Sequence, residues 1–158
     1  MAVKRTPADQ WFSKCVRIRT NWTCEYCDIN YEHDKGYLHC SHYISRAHHI
    51  TRYNPINAMA HCQRCHEQLG GGRWGGGNIA EFAHHYDEIH GPKNREKIRK
   101  ISHYPFPKHK RHIKDISTHF RQEFARLEQL RLDGRIDRLE FEPYTGCIEL
   151  LDLEERIC

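Results

Sequence analysis

The chain is short of apolar material. Only 38% of its 158 residues are hydrophobic, two are methionine, and its mean hydropathy is −0.87. That is lean for a chain that must bury a core, and it predicts that something besides apolar burial helps to hold the fold. No apolar run is long enough to cross a bilayer, and the opening MAVKRTPADQW lacks the apolar stretch of a secretory signal. The expectation is a soluble intracellular protein with no membrane partner. Internal repeats and low-complexity tracts are also missing, so the length points to one compact domain with an extension.

Histidine and cysteine are abundant, at 14 and eight residues. In a reducing compartment, Cys-x-x-Cys pairs hold metal far more often than they form disulfides. Cys24 and Cys27 make one such knuckle and Cys62 and Cys65 another, with room for a hairpin between them. Four thiolates in two knuckles predict a closed tetrahedral site for structural Zn²⁺, with no coordination position left for a reacting water. Charge is unevenly spread: residues 1–130 carry 21 Lys/Arg against 13 Asp/Glu, and residues 131–158 carry 4 against 8. A basic body suits a nucleic-acid partner, and the acidic tail implies a separate role.

Thr6-Pro7-Ala8-Asp9 marks a helix start. The helix is expected to run to about Arg19, with Trp11, Phe12, Cys15, Val16 and Ile18 on an apolar face and Lys14, Arg17 and Arg19 opposite. Cys15 is then a core residue rather than a ligand. Trp22 to Tyr43 reads as two or three short strands, with a tight turn at Cys24–Cys27 and a second break at Gly36. The second half of Ile56–Leu69 reads as helix, ended by the glycine-rich stretch 70–77, a loop whose Arg73 and Trp74 are candidate nucleic-acid contacts. Asn78 caps a helix to about His90, with Ile79, Phe82, Tyr86 and Ile89 on one face and Gly91 as its stop. A basic helix from Pro92 to about Ser102 follows, and then a non-helical link at 104–107. Ile113, Ile116, Phe120, Phe124, Leu127 and Leu130 predict a long helix ending near Gly134. Alternation around Leu139-Glu140-Phe141 and at 147–150 predicts a small C-terminal hairpin.

Within the knuckle region the chain reads His39-Cys40-Ser41-His42, then Asn57, then His66 directly after Cys65. This order resembles the His-Asn-His (HNH, His-Me finger) endonuclease motif in its zinc-bearing form. The resemblance covers about Trp22 to Gly70 and implies an α+β fold: a zinc-stapled treble-clef or ββα-metal nuclease core with flanking helices. It further implies His42 as general base, Asn57 as the residue that holds the loop, and His66 as ligand to a catalytic Mg²⁺ or Mn²⁺. Many members carry an acidic metal ligand immediately before the first histidine. Here that place is Ser41, and His39, on the same expected strand, is the preferred substitute. Ten of the other eleven histidines, all but His33, are expected to take no part in chemistry.

Trp11-Phe12-Ser13 ahead of the knuckle, the His-x-x-His at His39 and His42, and the Cys-x-x-Cys followed by a polar residue resemble the Rap/NinG family of phage recombination endonucleases. That likeness runs from Asp9 to about Leu130, although His66 stands where the family often has asparagine. It implies cleavage of branched DNA such as Holliday junctions and D-loops, in the cytoplasm of a bacterial host cell, by a homodimer suited to a two-fold junction. Three regions are expected: a nuclease core over 1–77, a basic helical DNA-binding or dimerisation region over 78–134, and an acidic hairpin or tail over 135–158. Lys93, Arg95, Lys97, Arg99, Lys100, Lys108, Lys110 and Arg111 would track phosphates without reading sequence. Two other readings stay open at this point. One is a nuclease acting on linear duplex, and the other a non-catalytic zinc-finger module that binds nucleic acid.

Overall fold

The computed structural model describes residues 3–70, 77–103 and 112–145. Helix α1 spans Pro7–Ile18 and starts as its sequence directs: Pro7 opens the first turn, and Thr6 and Asp9 cap one another's backbone in a reciprocal box. Its apolar face buries Ala8, Phe12, Cys15 and Val16. Arg19 belongs to no solvated face. It is fully buried, with Nη1 donating to the Pro55 carbonyl at 3.0 Å and Nη2 to the Ala58 carbonyl.

Strands β1 (Leu38–His42) and β2 (Ala58–Cys62) pair antiparallel, with His39 opposite His61 and His42 opposite Ala58. Among the described residues these are the strands that form. The expected two or three strands between Trp22 and Tyr43 reduce to β1 and a single bridge, Thr23 to Asn30. Asn21, Trp22 and Asp28 adopt φ of 51°, 58° and 58°, which wraps the chain around the first knuckle instead of extending it. Residues Glu32–Tyr37, Gly36 included, form a 3₁₀ segment.

Helix α2 (Gln63–Gly70) leaves β2 directly, and α3 (Ile79–His90) starts at Asn78, whose side chain accepts from the Glu81 amide. Gly91, at φ 83°, makes the sharp join to α4 (Pro92–Ser102), a conformation that favours a residue without Cβ. Met59, Leu69, Phe82, Tyr86 and Ile98 form a small core on this side. On the other side α5 (Ile113–Leu132) packs along α1: Phe12 and Phe120 meet edge-on at 5.1 Å, and Trp11 lies 5.7 Å from Phe124.

Leu139–Phe141 forms no strand. The Leu139 amide donates to the Arg19 carbonyl at 2.8 Å, and Phe141 seats against Phe12 and Phe120. The alternation read as a hairpin therefore marks an extended segment whose two apolar side chains complete the α1/α5 core. The other expected hairpin strand, at 147–150, lies outside the described residues. Among the described residues no helix is long and apolar enough to cross a membrane.

Candidate metal centre and active site

The two knuckles converge. One ligand atom from each of Cys24, Cys27, Cys62 and Cys65 lies within 4.8 Å of all the others, so the four could hold a metal ion such as zinc. Backbone amides are aimed at the sulfurs: Cys62 N–H donates to Cys24 Sγ at 3.3 Å, and the amides of Tyr26 and Cys27 also donate to Cys24. Burial would raise the Cys62 thiol, but donation from the Cys65 amide and the Tyr31 hydroxyl outweighs it and brings the pKa down to about 7. Burial together with the neighbouring thiols pushes Cys65 up. Crowded thiols resist joint ionisation, and a bound dication reverses that penalty.

The convergence of the knuckles brings the start of β1 beside the start of α2. His39 and His66 face one another with ring centroids 5.7 Å apart. With His42 they line one open cleft of about 920 Å³, walled by α1, β1, the loop after β1, α2 and Arg99 of α4. Burial lowers the pKa of all three imidazoles, and His42 falls to about 4. Its Nε2 lies 3.1 Å from the Arg52 carbonyl, an acceptor, so this nitrogen carries the proton. Nδ1 keeps its lone pair, on the side of Cys40, whose Sγ is 3.9 Å away.

Asn57 is wholly buried behind the site. Its Oδ1 accepts from the Ile44 amide at 2.8 Å, and its Nδ2 donates to the carbonyls of Ile44 and Thr51, each at 2.9 Å. It thus ties the two ends of the loop that leaves β1 after His42. Ser41 is buried at 1% exposure, and among the described residues the cysteines alone form a group of three or more candidate metal ligands. A second ion held by His39 and His66 would therefore complete its coordination from water or substrate.

The basic residues divide differently from the sequence expectation. Arg99 lines the cleft. Arg95 is bound to Asp87 at 2.7 Å and Lys100 to Glu96 at 3.1 Å, while Lys93 and Lys97 are exposed away from the cleft walls. Arg73, Lys108, Lys110, Arg111 and Trp74 lie outside the described residues. The sequence reading missed Arg5, Lys14, Arg17 and Arg46, all of which line the cleft. Gln10, Ser13, Lys14 and Arg17 recur at i, i+3, i+4 and i+7, so a polar stripe on α1 was the available signal. The side chains of Arg5, Arg46 and Arg99 have no ion-pair or hydrogen-bond partner among the described residues. No histidine other than His39, His42 and His66 lines the cleft among the described residues. Comparisons with protein-family models, curated proteins and solved structures find no match, so the meaning of this cleft rests on its own chemistry.

Proposed function

We propose that the chain is a metal-dependent endonuclease of the His-Asn-His type, with a zinc-stapled ββα-metal core similar to that of the Rap/NinG enzymes, acting on branched DNA. The observation that carries this reading is the meeting of His39, His42 and His66 with unpaired guanidiniums in a single cleft. Imidazoles alone would suit many reactions. Imidazoles ringed by cations suit a phosphodiester.

Hydrolysis needs a base for water and a counter-charge for the oxygen that departs. His42 fits the first need. Burial holds it neutral at physiological pH, and the Arg52 carbonyl fixes the tautomer in which Nδ1 is the acceptor, so that a water taking the place of the Cys40 thiol can give it a proton. The water oxygen then bonds to phosphorus as a bridging P–O bond breaks. His39 and His66 would hold a divalent ion, Mg²⁺ or Mn²⁺, which when bound neutralises charge on the phosphate and the leaving oxygen. Arg46 lies close enough to His42 and His66 to lower both their pKa values, so it is placed to hold a non-bridging phosphate oxygen. Arg5 and Arg99 stand ready for flanking phosphates.

Branched DNA as substrate, and a homodimer to cut it symmetrically, follow from the Rap/NinG resemblance. The test compares labelled four-way junction, fork and linear duplex of one sequence, with and without Mg²⁺ or Mn²⁺, for the wild type and His42→Ala. Metal-stimulated junction cleavage by the wild type alone is expected. Equal cutting of linear duplex would retain the nuclease and discard the branch preference. Binding without cutting would leave a nucleic-acid-binding module.

A further inference from the structure

One buried ion pair joins the start of α1 to the loop that follows β1. Asp9, in the first turn of α1, and Arg52, near the end of the loop that follows β1, are 43 residues apart. They meet in a forked contact, Nε to Oδ1 at 2.9 Å and Nη2 to Oδ2 at 2.7 Å. Their side chains are only 8% and 5% exposed. Burial by itself would raise the Asp9 carboxyl, but hydrogen bonds from Arg52 and Thr6 hold it below its ordinary value. Arg52 Nη2 also donates to the Lys4 carbonyl at 2.9 Å, so the guanidinium is fixed from three sides.

Two neighbouring carbonyls in that loop reach the site in different ways. The Thr51 carbonyl is taken by Asn57, and the Arg52 carbonyl is the group that accepts from His42 Nε2. Asn57 fixes the loop at the first carbonyl, while the Arg52 side chain anchors the residue that bears the second. We infer that Asp9 is a positioning residue for His42: by gripping the Arg52 guanidinium it sets the carbonyl that holds the His42 ring in its Nε2–H tautomer, with Nδ1 as the acceptor nitrogen. The chain of contacts runs Asp9 to Arg52 side chain, Arg52 carbonyl to His42, and it joins α1 to the end of β1. A planar guanidinium gripping both carboxylate oxygens resists rotation in a way that a single-point ammonium contact does not.

The catalytic consequence rests on the nuclease reading, but the positional one does not, so the experiment separates them. Zinc-loaded protein with [¹⁵N]histidine is examined by long-range ¹H–¹⁵N correlation at pH 7, for wild type, Asp9→Asn, Arg52→Lys and Thr6→Ala. Thr6→Ala removes the other half of the helix cap and the Thr6 hydroxyl's bond to Asp9 Oδ2 while leaving both Arg52 contacts in place, and so reports what loosening the cap does without opening the fork. The wild type and Thr6→Ala are expected to show His42 in a single Nε2–H form. Asp9→Asn and Arg52→Lys are expected to show mixed tautomers and a fall of roughly 10- to 100-fold in kcat, with KM within about twofold. If Asp9→Asn does not fold, Arg52→Lys, which keeps the charge and loses the fork, decides the matter. An unchanged His42 spectrum in the folded fork variants overturns the inference, as does an equal change in Thr6→Ala. Changed tautomers in a protein that cuts no DNA would uphold the positioning and sink the nuclease reading.

Discussion

Replacing Asn57 gives the sharpest test of how the loop is held. The side chain makes three hydrogen bonds, to the Ile44 amide and to the carbonyls of Ile44 and Thr51, and it is 0% exposed. Asn57→Ala strips these partners in a place water does not readily reach. At about 1 to 1.5 kcal/mol per lost bond the expected cost is roughly 3 to 5 kcal/mol, a large share of the stability of a small domain. Asn57→Asp separates chemistry from size. Its carboxylate still accepts from the Ile44 amide but turns a negative oxygen on two carbonyls, so at pH 7 it is expected to be at least as destabilising as the alanine. The native environment disfavours the charged form, which raises the folded pKa of the new carboxyl above its unfolded value. The deficit should therefore shrink as pH falls and the acid becomes a donor. The assay is urea unfolding of metal-loaded protein at pH 7 and pH 5. An Asn57→Asp protein within 1 kcal/mol of the wild type at pH 7 would refute the account of the loop.

Other expectations concern the staple, the buried charges and the pH response. Chelation of the thiolate-bound metal should abolish cooperative unfolding and strip the signal of Trp22, which precedes the first knuckle. Retention of a sharp transition after chelation would remove the staple from the account. Glu25 binds Arg19 and Arg138 and accepts from the Ala60 amide, so Glu25→Leu leaves a buried guanidinium unpaired and should cost about 3 to 5 kcal/mol in unfolding free energy. Burial, aided by the cations of Arg19 and Arg138, depresses His90 to about 3. Below pH 6.5 the unfolded chain takes up a proton there that the folded chain refuses. Stability should accordingly fall toward pH 4, and His90→Gln should flatten the slope by about 1.4 kcal/mol per pH unit. An identical slope in both proteins would contradict that assignment. Arg46→Ala should lower DNA cleavage at least tenfold without changing the thermal midpoint, and Arg46→Lys should recover part of it.

Much of this architecture was legible because short-range chemistry dictates it. Two Cys-x-x-Cys spacings pointed to the cluster of four cysteines, the Thr6–Asp9 box and Asn78 marked two helix starts, and Gly91 marked a helix end. The meeting of His42 and His66 in one cleft, with His39 as the substitute for an acidic ligand, was legible only through the likeness of their order to the His-Asn-His motif. What stayed hidden depended on contacts between distant segments. Arg19 reads as solvated by helical phase, yet the Pro55 and Ala58 carbonyls and Glu25 draw it into the core. The basic run of α4 reads as a phosphate track, but Asp87 and Glu96 engage Arg95 and Lys100 locally. The residues that line the cleft instead come from the polar stripe of α1 and from Arg46. Around the first knuckle only a single bridge forms because positive φ values, not alternation, govern the turn that carries Cys24 and Cys27.

On the nuclease function proposed above, His42 takes the proton from water during phosphodiester cleavage. The most direct measurement is single-turnover cutting of a four-way junction by zinc-loaded His42→Gly with Mn²⁺, with and without added imidazole. A loss of roughly 10²- to 10⁴-fold that imidazole partly restores is expected. Cutting by His42→Gly at the wild-type rate would contradict it.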